Sequence, residues 1–235
     1  MTAGDEYIRQ VTAHAADRRA RSAFQRLALS ATAPGARIYD FGAGPGIDAR
    51  FYATHGRLVD AYDMDPRMRE TFADHCRQEI ESGRVRLHGD DDPAFIEGTA
   101  SPTAVHADVV TANFAPLNLI DDPHALFERF HRITAPAGRV LLSVLNPHYL
   151  GDLRYLWWWR HVPELWQTGS YSVKGETFNI YRRTTRNLAQ QAAPYFSLEQ
   201  VLRGLPARAL LDNGPLRRPS LLTSRYLFLV FSRRA

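Results

Sequence analysis

The sequence has little or none of several features that mark particular classes of protein. Cys76 is the only cysteine among 235 residues, which excludes an intramolecular disulfide and a cysteine-based zinc site. No apolar run approaches the roughly 18 residues that a membrane-spanning helix needs, and Met1–Glu6 lacks the positive and apolar regions of a secretory signal. We therefore expect a cytoplasmic protein with no membrane among its partners.

Lysine is almost absent as well. Lys174 is the only lysine among 29 basic residues, and the rest are arginines spread along the chain in short clusters. The formal charge of +4 is therefore not concentrated in a patch, and we expect no dedicated nucleic-acid surface. The length and the 45% apolar content are typical of one globular domain, which we assign to residues 1–235.

Strand-like and helical segments alternate between residues 37 and 145. Strands are expected at 37–41, 57–62, 85–87, 108–112 and 139–145, with helices at 47–54, 66–81 and 123–133. Asp65 and either Asp121 or Asp122 are expected to cap the second and third of these helices. Alternation of this kind predicts a parallel sheet with helices on both faces, and ligands then bind at the carboxyl ends of the strands.

The flanking segments have a different character. A helix over residues 5 to about 30 predicts an N-terminal helical cap within residues 1–34, and residues 146–193 form an insert rich in aromatic residues. Ser197–Gln200 has the pattern of a capping box and predicts a helix to about Leu205. Two final strands are expected at Ala207–Leu211 and Ser224–Ser232, with a turn at 212–215.

The first strand ends in the glycine-rich turn Asp40–Gly46. Its glycines stand at positions 42, 44 and 46, and Ile47 occupies the place where a dinucleotide-binding pattern needs a third glycine. No Gly-Lys-Ser/Thr follows, so a phosphate-binding P-loop is excluded. Asp40 adds a carboxylate at the strand end, which suits a cationic ligand better than a phosphate.

Acidic residues follow the next two strands. Asp63 ends the second strand, where a carboxylate can accept hydrogen bonds from the two hydroxyls of a ribose. Gly89–Asp91 ends the third strand and is placed to meet an adenine edge. The three acids Asp90 to Asp92 also resemble a magnesium site, but such sites usually draw ligands from separate segments. The fourth strand ends in Asn113, and we expect no metal.

With these motifs the chain resembles the class I S-adenosylmethionine-dependent methyltransferases. Ile38–Gly46 is similar to their motif I, Asp63 matches their ribose-binding acid, and Gly89–Asp90 matches their adenine-contacting pair. Residues 108–114 and 126–141 resemble their fourth strand and the approach to their fifth, although Ala137 replaces one glycine of the usual turn. The resemblance implies an α/β fold: a Rossmann-like three-layer sandwich with a mostly parallel seven-stranded sheet and an antiparallel C-terminal strand.

The resemblance also implies roles for individual residues toward S-adenosylmethionine, whose product is S-adenosylhomocysteine. Asp40 lies near the methionyl ammonium, Asp63 holds the ribose, and Met64 packs on the adenine. The remaining cofactor-binding residues are expected to be Gly42, Ala43, Gly44, Gly46, Asp90, Asp91, Asn113 and Phe114. For Phe114, simple core packing is an equal alternative.

The acceptor is expected to bind in the 146–193 insert, which would form a lid. Its aromatic residues are too many and too closely spaced for a surface in water, so they form core, lid or dimer contact, and Trp157 to Trp159 are expected to be split between core and pocket. The substrate-binding candidates are Tyr149, Trp157, Trp158 and Tyr171. If a general base is used, His148 is the first candidate, followed by His161 and His14.

These observations predict methyl transfer to an oxygen or nitrogen atom of a hydrophobic or aromatic small molecule, of the kind made in secondary metabolism. Two alternatives stay open. One is an RNA or protein methyltransferase, although Asn113–Pro116 lacks the Asn-Pro-Pro-Tyr type of motif common in RNA enzymes. The other is a cofactor-binding member of the fold with a non-methylating role. A homodimer is a further candidate partner.

Overall fold

The computed structural model describes residues 9, 14–89, 106–175, 178–203 and 223–234. A seven-stranded sheet in the order β3-β2-β1-β4-β5-β9-β8 forms its centre. Strands β1 to β5 pair in parallel, and β9 runs antiparallel between β5 and β8. The strands are β1 Arg37–Phe41, β2 Leu58–Tyr62, β3 Val85–His88, β4 Ala107–Ala112, β5 Thr134–Leu145, β8 Phe196–Arg203 and β9 Tyr226–Arg233.

Helices cover both faces of the sheet, and a second small sheet belongs to the insert after β5. The helices are α1 Ala15–Ser30, α2 Ile47–Thr54, α3 Pro66–His75, α4 Arg77–Glu81, α5 Pro123–Ile133, α6 Leu156–Thr168 and α7 Thr185–Ala192. The two-stranded sheet pairs β6 Ser170–Lys174 with β7 Asn179–Arg183. Both the three-layer architecture and the antiparallel C-terminal strand confirm the expected fold class.

Alternation along the strands builds two apolar cores, one on each face. Ile38 and Val109 face α1, α2 and α3 with Phe24, Tyr52 and Phe72, whereas Tyr39 and Val110 face α5 and α7. Both cores consist of buried side chains, as expected for parallel strands covered on both faces. The carboxyl ends of β1, β2 and β4 therefore emerge side by side at one edge.

The first half of the chain follows the sequence prediction closely. Asp65 accepts a hydrogen bond from the Arg67 amide with Pro66 in the first turn, and Asp122, rather than Asp121, accepts one from the Ala125 amide. The predicted helix 66–81 is divided at Cys76 into α3 and α4. The strand β5 begins earlier than the predicted residue 139, because Thr134 already pairs with Ala107, but the pairing shifts register before Arg139 pairs with Val109.

The C-terminal part contains two further corrections. Ser197–Gln200 does not open a helix but lies in β8, where Ser197 pairs with Ser232 and Leu198 with Phe231. The helix α7 was not predicted from the sequence. Its cap is Thr184, whose side chain accepts a hydrogen bond from the Asn187 amide. The predicted strand 207–211 and turn 212–215 lie outside the described residues, and the last predicted strand is confirmed as β9.

The insert is tied to the sheet edge by long-range hydrogen bonds. Asn118, in the 3-10 turn Pro116–Leu119 after β4, donates to the Tyr181 carbonyl and accepts from the Leu145 amide. Arg183 donates to the carbonyls of Ile120 and Asp121 at 2.8 Å each. These bonds hold β7 beside the ends of β4 and β5. No helix in the described ranges combines the length and apolar content needed to cross a bilayer.

Candidate functional site

The glycine-rich turn is held against the end of β2. The amides of Gly42 and Ala43 both donate to the Tyr62 carbonyl, at 2.8 and 3.0 Å. Gly42, Gly44 and Gly46 have φ of 68°, 55° and 84°, a region that other residues rarely adopt. The turn therefore needs glycine at each of these positions for its backbone conformation.

Two of the glycines are also required by close packing within the protein. A Cβ on Gly42 would lie 2.7 Å from the Cβ of Pro116, and one on Gly46 would lie 2.6 Å from the Cys76 sulfur and 2.8 Å from the Phe72 ring. The turn is thus clamped between the segment after β4 and helix α3. The close approach of these glycines to a ligand, which is expected from the sequence, stays a prediction.

Asp40 is a buried carboxyl group with one unused oxygen. Its Oδ1 accepts from the Thr111 hydroxyl at 2.8 Å, and Oδ2 has no hydrogen-bond partner among the described residues. Burial, followed by the negative charge of Asp48, raises the pKa of Asp40 to about 8. A buried oxygen without a partner is uncommon in folded proteins and marks a place where a donor can be received.

Three donor side chains from two elements converge on Asp48, which lies in the first turn of α2. Arg21 and Gln25 of α1 and Asn113 after β4 all donate to its carboxylate, Gln25 at 2.7 Å and Asn113 at 3.0 Å. We call this group the Asp48 junction. Of its members, only Asn113 was predicted from the sequence to belong to the site. One sequence pattern could have indicated Arg21 and Gln25: their spacing places them on the side of α1 that also carries the buried Phe24 and Ala28.

Asp63 is buried at the end of β2, and its carboxylate closes the glycine turn. Its Oδ2 accepts from the Gly44 amide at 2.7 Å and its Oδ1 from the Asp65 amide at 2.9 Å. Burial raises its pKa above the usual value. Met64 beside it is 61% exposed, so its side chain is accessible to a flat ligand. Asp90 and Asp91 lie outside the described residues.

The segment after β4 carries backbone strain. Phe114 and Ala115 have φ of 60° and 67°, although neither is glycine. The Phe114 amide donates to the Asn113 side chain at 2.9 Å, and its ring lies 4.3 Å from the Arg21 guanidinium and 5.3 Å from the Tyr226 ring. Consecutive left-handed residues are costly and cluster at functional sites. Phe114 is half-buried and belongs to neither apolar core, which favours its predicted place in the cofactor site over simple core packing.

Beyond β5, Asn146 organises the start of the insert. It is buried, donates to the Ser224 carbonyl at 2.8 Å, and accepts from the His148 amide at 3.0 Å. The residue His148 is exposed as a whole, but its ring is partly shielded from water, and this desolvation lowers its pKa below the usual value. A neutral imidazole at neutral pH can accept a proton, as a general base requires.

A polar group lies within the insert. Arg182 donates to the Asn146 carbonyl at 3.1 Å and forms an ion pair of 3.4 Å with Asp152. Tyr171 is 2% exposed, and its hydroxyl has no hydrogen-bond partner among the described residues. Burial raises the pKa of Tyr171 to about 12, so it remains a donor at neutral pH. The ring of His161 stacks on Tyr171 at 5.1 Å.

The other predicted substrate residues are distributed around this group. Trp157 lies 6.4 Å from Tyr171 between ring centroids, Trp158 donates to the Pro147 carbonyl at 3.0 Å, and the Tyr149 ring packs over Gly151. Trp157 and Trp158 are half-buried and Trp159 is 56% exposed, so none of the three enters the core. Trp166 is 82% exposed, so the aromatic residues of the insert are not all shielded within the chain itself, and the predicted dimer contact stays a prediction.

Known proteins share the fold and part of the sequence. A family model for a methyltransferase domain matches residues 12–193. A malonyl-[acyl-carrier protein] O-methyltransferase from Serratia marcescens is 30% identical over 167 residues, which are 66% of this chain and 61% of that relative. The aligned part thus spans less than two-thirds of the relative's length.

Two solved structures illustrate the structural similarity. One is a putative S-adenosylmethionine-dependent methyltransferase from Listeria monocytogenes, with a TM-score of 0.64, 17% identity, and coverage of 92% of this chain and 98% of that one. The other is 1,6-didemethyltoxoflavin-N1-methyltransferase from Burkholderia thailandensis with bound 1,6-didemethyltoxoflavin and S-adenosylhomocysteine. Its TM-score is 0.62 at 18% identity, with coverage of 99% and 87%. At these identities the similarity establishes the fold alone.

Replacing Asp40 with asparagine tests its raised pKa. A carboxyl whose pKa rises to about 8 on folding binds more protons in the folded state, so stability falls as pH rises from about 4 toward 8. We expect the free energy of unfolding of Asp40→Asn to depend less on pH over this interval than that of the wild type. Urea unfolding at about pH 5 and about pH 8 measures the difference.

Asp74→Asn, on the exposed side of α3, is the matched control and should change stability by less than about 0.5 kcal/mol at both pH values. Equal pH dependence of the wild type and Asp40→Asn would show that the Asp40 carboxyl is already ionised in the folded protein.

Proposed function

The chain belongs to the methyltransferase domain family of class I S-adenosylmethionine-dependent enzymes, and we propose that it methylates an oxygen or nitrogen atom of a hydrophobic or aromatic small molecule. When bound, S-adenosylmethionine supplies a methyl group already activated on a sulfonium. The protein therefore mainly has to align the acceptor atom and exclude water. The observation that carries the proposal is the buried polar group of Tyr171, Asp152 and Arg182 within an otherwise aromatic insert.

The residues around the glycine turn fit a cationic cofactor. Asp40, Asp48 and Asp63 place three carboxyl groups at this edge, and Arg21 is the one cation bonded to Asp48 among the described residues. The unused Oδ2 of Asp40 can receive an ammonium group, and such a partner would favour the ionised form of this carboxyl. Asp40 is accordingly the residue that we assign to the methionyl end.

Asp63 and Met64 are assigned to the nucleoside end. Both oxygens of Asp63 already accept backbone amides, yet a carboxylate has about four acceptor positions and can take ribose hydroxyls in addition. Binding of a nucleoside and closure of the turn are thereby coupled through one side chain. Met64 would cover the adenine ring, whereas Asn113 and Phe114 would line the path to the acceptor.

The insert supports recognition of a small acceptor with a polar group. Tyr171 and Arg182 are donors and Asp152 is an acceptor. The hydroxyl of Tyr171 has no hydrogen-bond partner among the described residues, and Oδ2 of Asp152 has the 3.4 Å ion-pair contact with Arg182 but no hydrogen bond there. Buried polar atoms of this kind are costly without a partner. A ligand group that both donates and accepts, such as a hydroxyl or an amide, would satisfy them while Trp157 and Trp158 contact its apolar part.

Other acceptors are supported less well. The relative from Serratia marcescens acts on a malonyl group held by an acyl-carrier protein, so a carrier-bound carboxyl group is a second candidate acceptor. RNA methylation would call for a concentrated basic surface, but the nearby Arg182 and Arg183 are engaged by Asp152 and by backbone carbonyls. A non-methylating role of the bound cofactor is the remaining alternative.

Labelled methyl transfer tests the proposed activity directly. The protein is incubated with S-adenosylmethionine labelled in its methyl group and with separated small-molecule, RNA and protein fractions of the source organism. We expect label to enter the small-molecule fraction. Label entering only RNA or protein would contradict the proposal, and cofactor binding without transfer to any fraction would favour a non-methylating role.

Asp63→Ala tests the assignment of the nucleoside end. Loss of the ribose hydrogen bonds should weaken binding of S-adenosylhomocysteine by roughly 1–3 kcal/mol, measured by calorimetry. Asp65→Ala is the matched control, because it removes the cap of α3 and should cost about 1 kcal/mol of stability without comparable loss of affinity. Unchanged affinity in Asp63→Ala would refute the assignment.

His148→Ala tests the proposed general base. Positioned bases typically contribute about 100-fold or more, so kcat should fall by at least this factor with little change in cofactor affinity. In the wild type, kcat should fall as pH drops below the lowered pKa of His148, because the protonated ring cannot accept a proton. His161→Ala, which removes a ring paired with Glu164, serves as comparison. If kcat is lost only in His161→Ala, the base is misassigned.

A further inference from the structure

Helix α6 presents a row of apolar side chains to solvent. Leu156, Trp159, Pro163 and Trp166 are separated by three, four and three residues, the spacing that places side chains on one side of a helix. Leu156 is 76%, Trp159 56% and Trp166 82% exposed, and Pro163 is exposed too. We call these four residues the α6 ridge. Large apolar side chains exposed together on one side of a helix indicate an interaction site.

The ridge is fixed in its outward orientation. On the opposite side of α6, Leu165 is buried, Trp158 donates to the Pro147 carbonyl, and Trp157 packs near Tyr171. The helix therefore cannot rotate the ridge inward without breaking these contacts. Trp159 has its indole N–H bonded to the Leu153 carbonyl at 2.8 Å, so its exposed ring needs no polar partner.

Further apolar and basic residues flank the ridge. Leu150 and Tyr155, just before the helix, are 43% and 41% exposed. Arg154 and Arg160 are exposed and have no ion-pair partner among the described residues, whereas Glu164 contacts His161 at 3.3 Å. The charge beside the ridge is therefore positive. Contact between two identical ridges would bring these arginines together, which disfavours a second copy as the occupant.

We propose that the α6 ridge binds the surface of an anionic lipid bilayer, with the helix lying in the interface and its arginines at the headgroups. Tryptophan and leucine on one side of a helix flanked by arginine is the composition of interfacial helices. Bulky side chains on a convex ridge suit a bilayer, which needs no shape-matched groove. No membrane partner was expected from the sequence, because it has no apolar run long enough to span a bilayer. A helix that lies in the interface needs no such run, so that expectation does not apply to it.

Vesicle co-sedimentation tests this proposal on the full chain without reference to enzymatic activity, so that its failure is separate from failure of the proposed function. We expect binding to mixed phosphatidylcholine–phosphatidylglycerol vesicles, weaker binding to phosphatidylcholine alone, and a loss of affinity with salt. The double variant L156Q/W166Q should bind roughly tenfold or more weakly, from the apolar area it removes. Each of Arg154→Gln and Arg160→Gln should cost roughly fivefold.

Phe178→Gln is the matched control, since Phe178 is 52% exposed but lies on the β6–β7 turn rather than on α6. It should bind as the wild type does, and circular dichroism confirms that each variant is folded. Equal binding of the wild type and the double variant, or no binding to either vesicle, overturns the proposal. The proposal is also overturned if analytical ultracentrifugation shows a dimer that the double variant abolishes and the wild type does not bind vesicles.

Discussion

The carboxylate of Asp48 is the interaction on which the arrangement of the site depends. It receives hydrogen bonds from α1 and from the end of β4 while standing in the first turn of the helix that follows the glycine turn. A charge buried in this way is tolerated only when it is paired and hydrogen-bonded, so the three donors stabilise it together. Asn113, held by this bond, also accepts from the Phe114 amide and so helps to maintain the strained segment beside the turn.

The order of strands and helices up to β5 was predictable because it rests on local signals. Most of the strands are short, largely apolar runs, and two of the helices begin at an aspartate cap, Asp65 for α3 and Asp122 for α5. The C-terminal part was not predictable in this way. Ser197–Gln200 satisfies a local helix signal, but pairing of Leu198 with Phe231 across some 30 residues places the segment in the sheet. Such a pairing is a tertiary effect that overrides local propensity.

Within the site, the residues that end strands were predictable and those that reach it from elsewhere were not. Asp40 and Asp63 follow from the rule that ligands bind at the carboxyl ends of parallel strands. Arg21 and Gln25 come from a helix packed on the sheet. Periodicity can place them on its apolar side, but it does not indicate that they reach Asp48. The glycines were located correctly, but packing of Gly42 on Pro116 and of Gly46 on α3 involves residues distant in sequence.

The geometry of α6 explains why the aromatic residues of the insert divide into two groups. Successive residues of a helix are about 100° apart, so Trp157, Trp158 and Trp159 cannot share an environment. Trp157 lies near Tyr171 and Trp158 donates to the Pro147 carbonyl, whereas Trp159 joins Leu156 and Trp166 on the outer side. The proposed acceptor contacts and the proposed lipid contacts therefore lie on opposite sides of one helix, roughly 10 Å across. Substitutions on one side can alter acceptor choice and those on the other can alter membrane binding, and the two sides are linked by the contact of the Trp158 and Trp159 rings, whose centroids lie 5.1 Å apart.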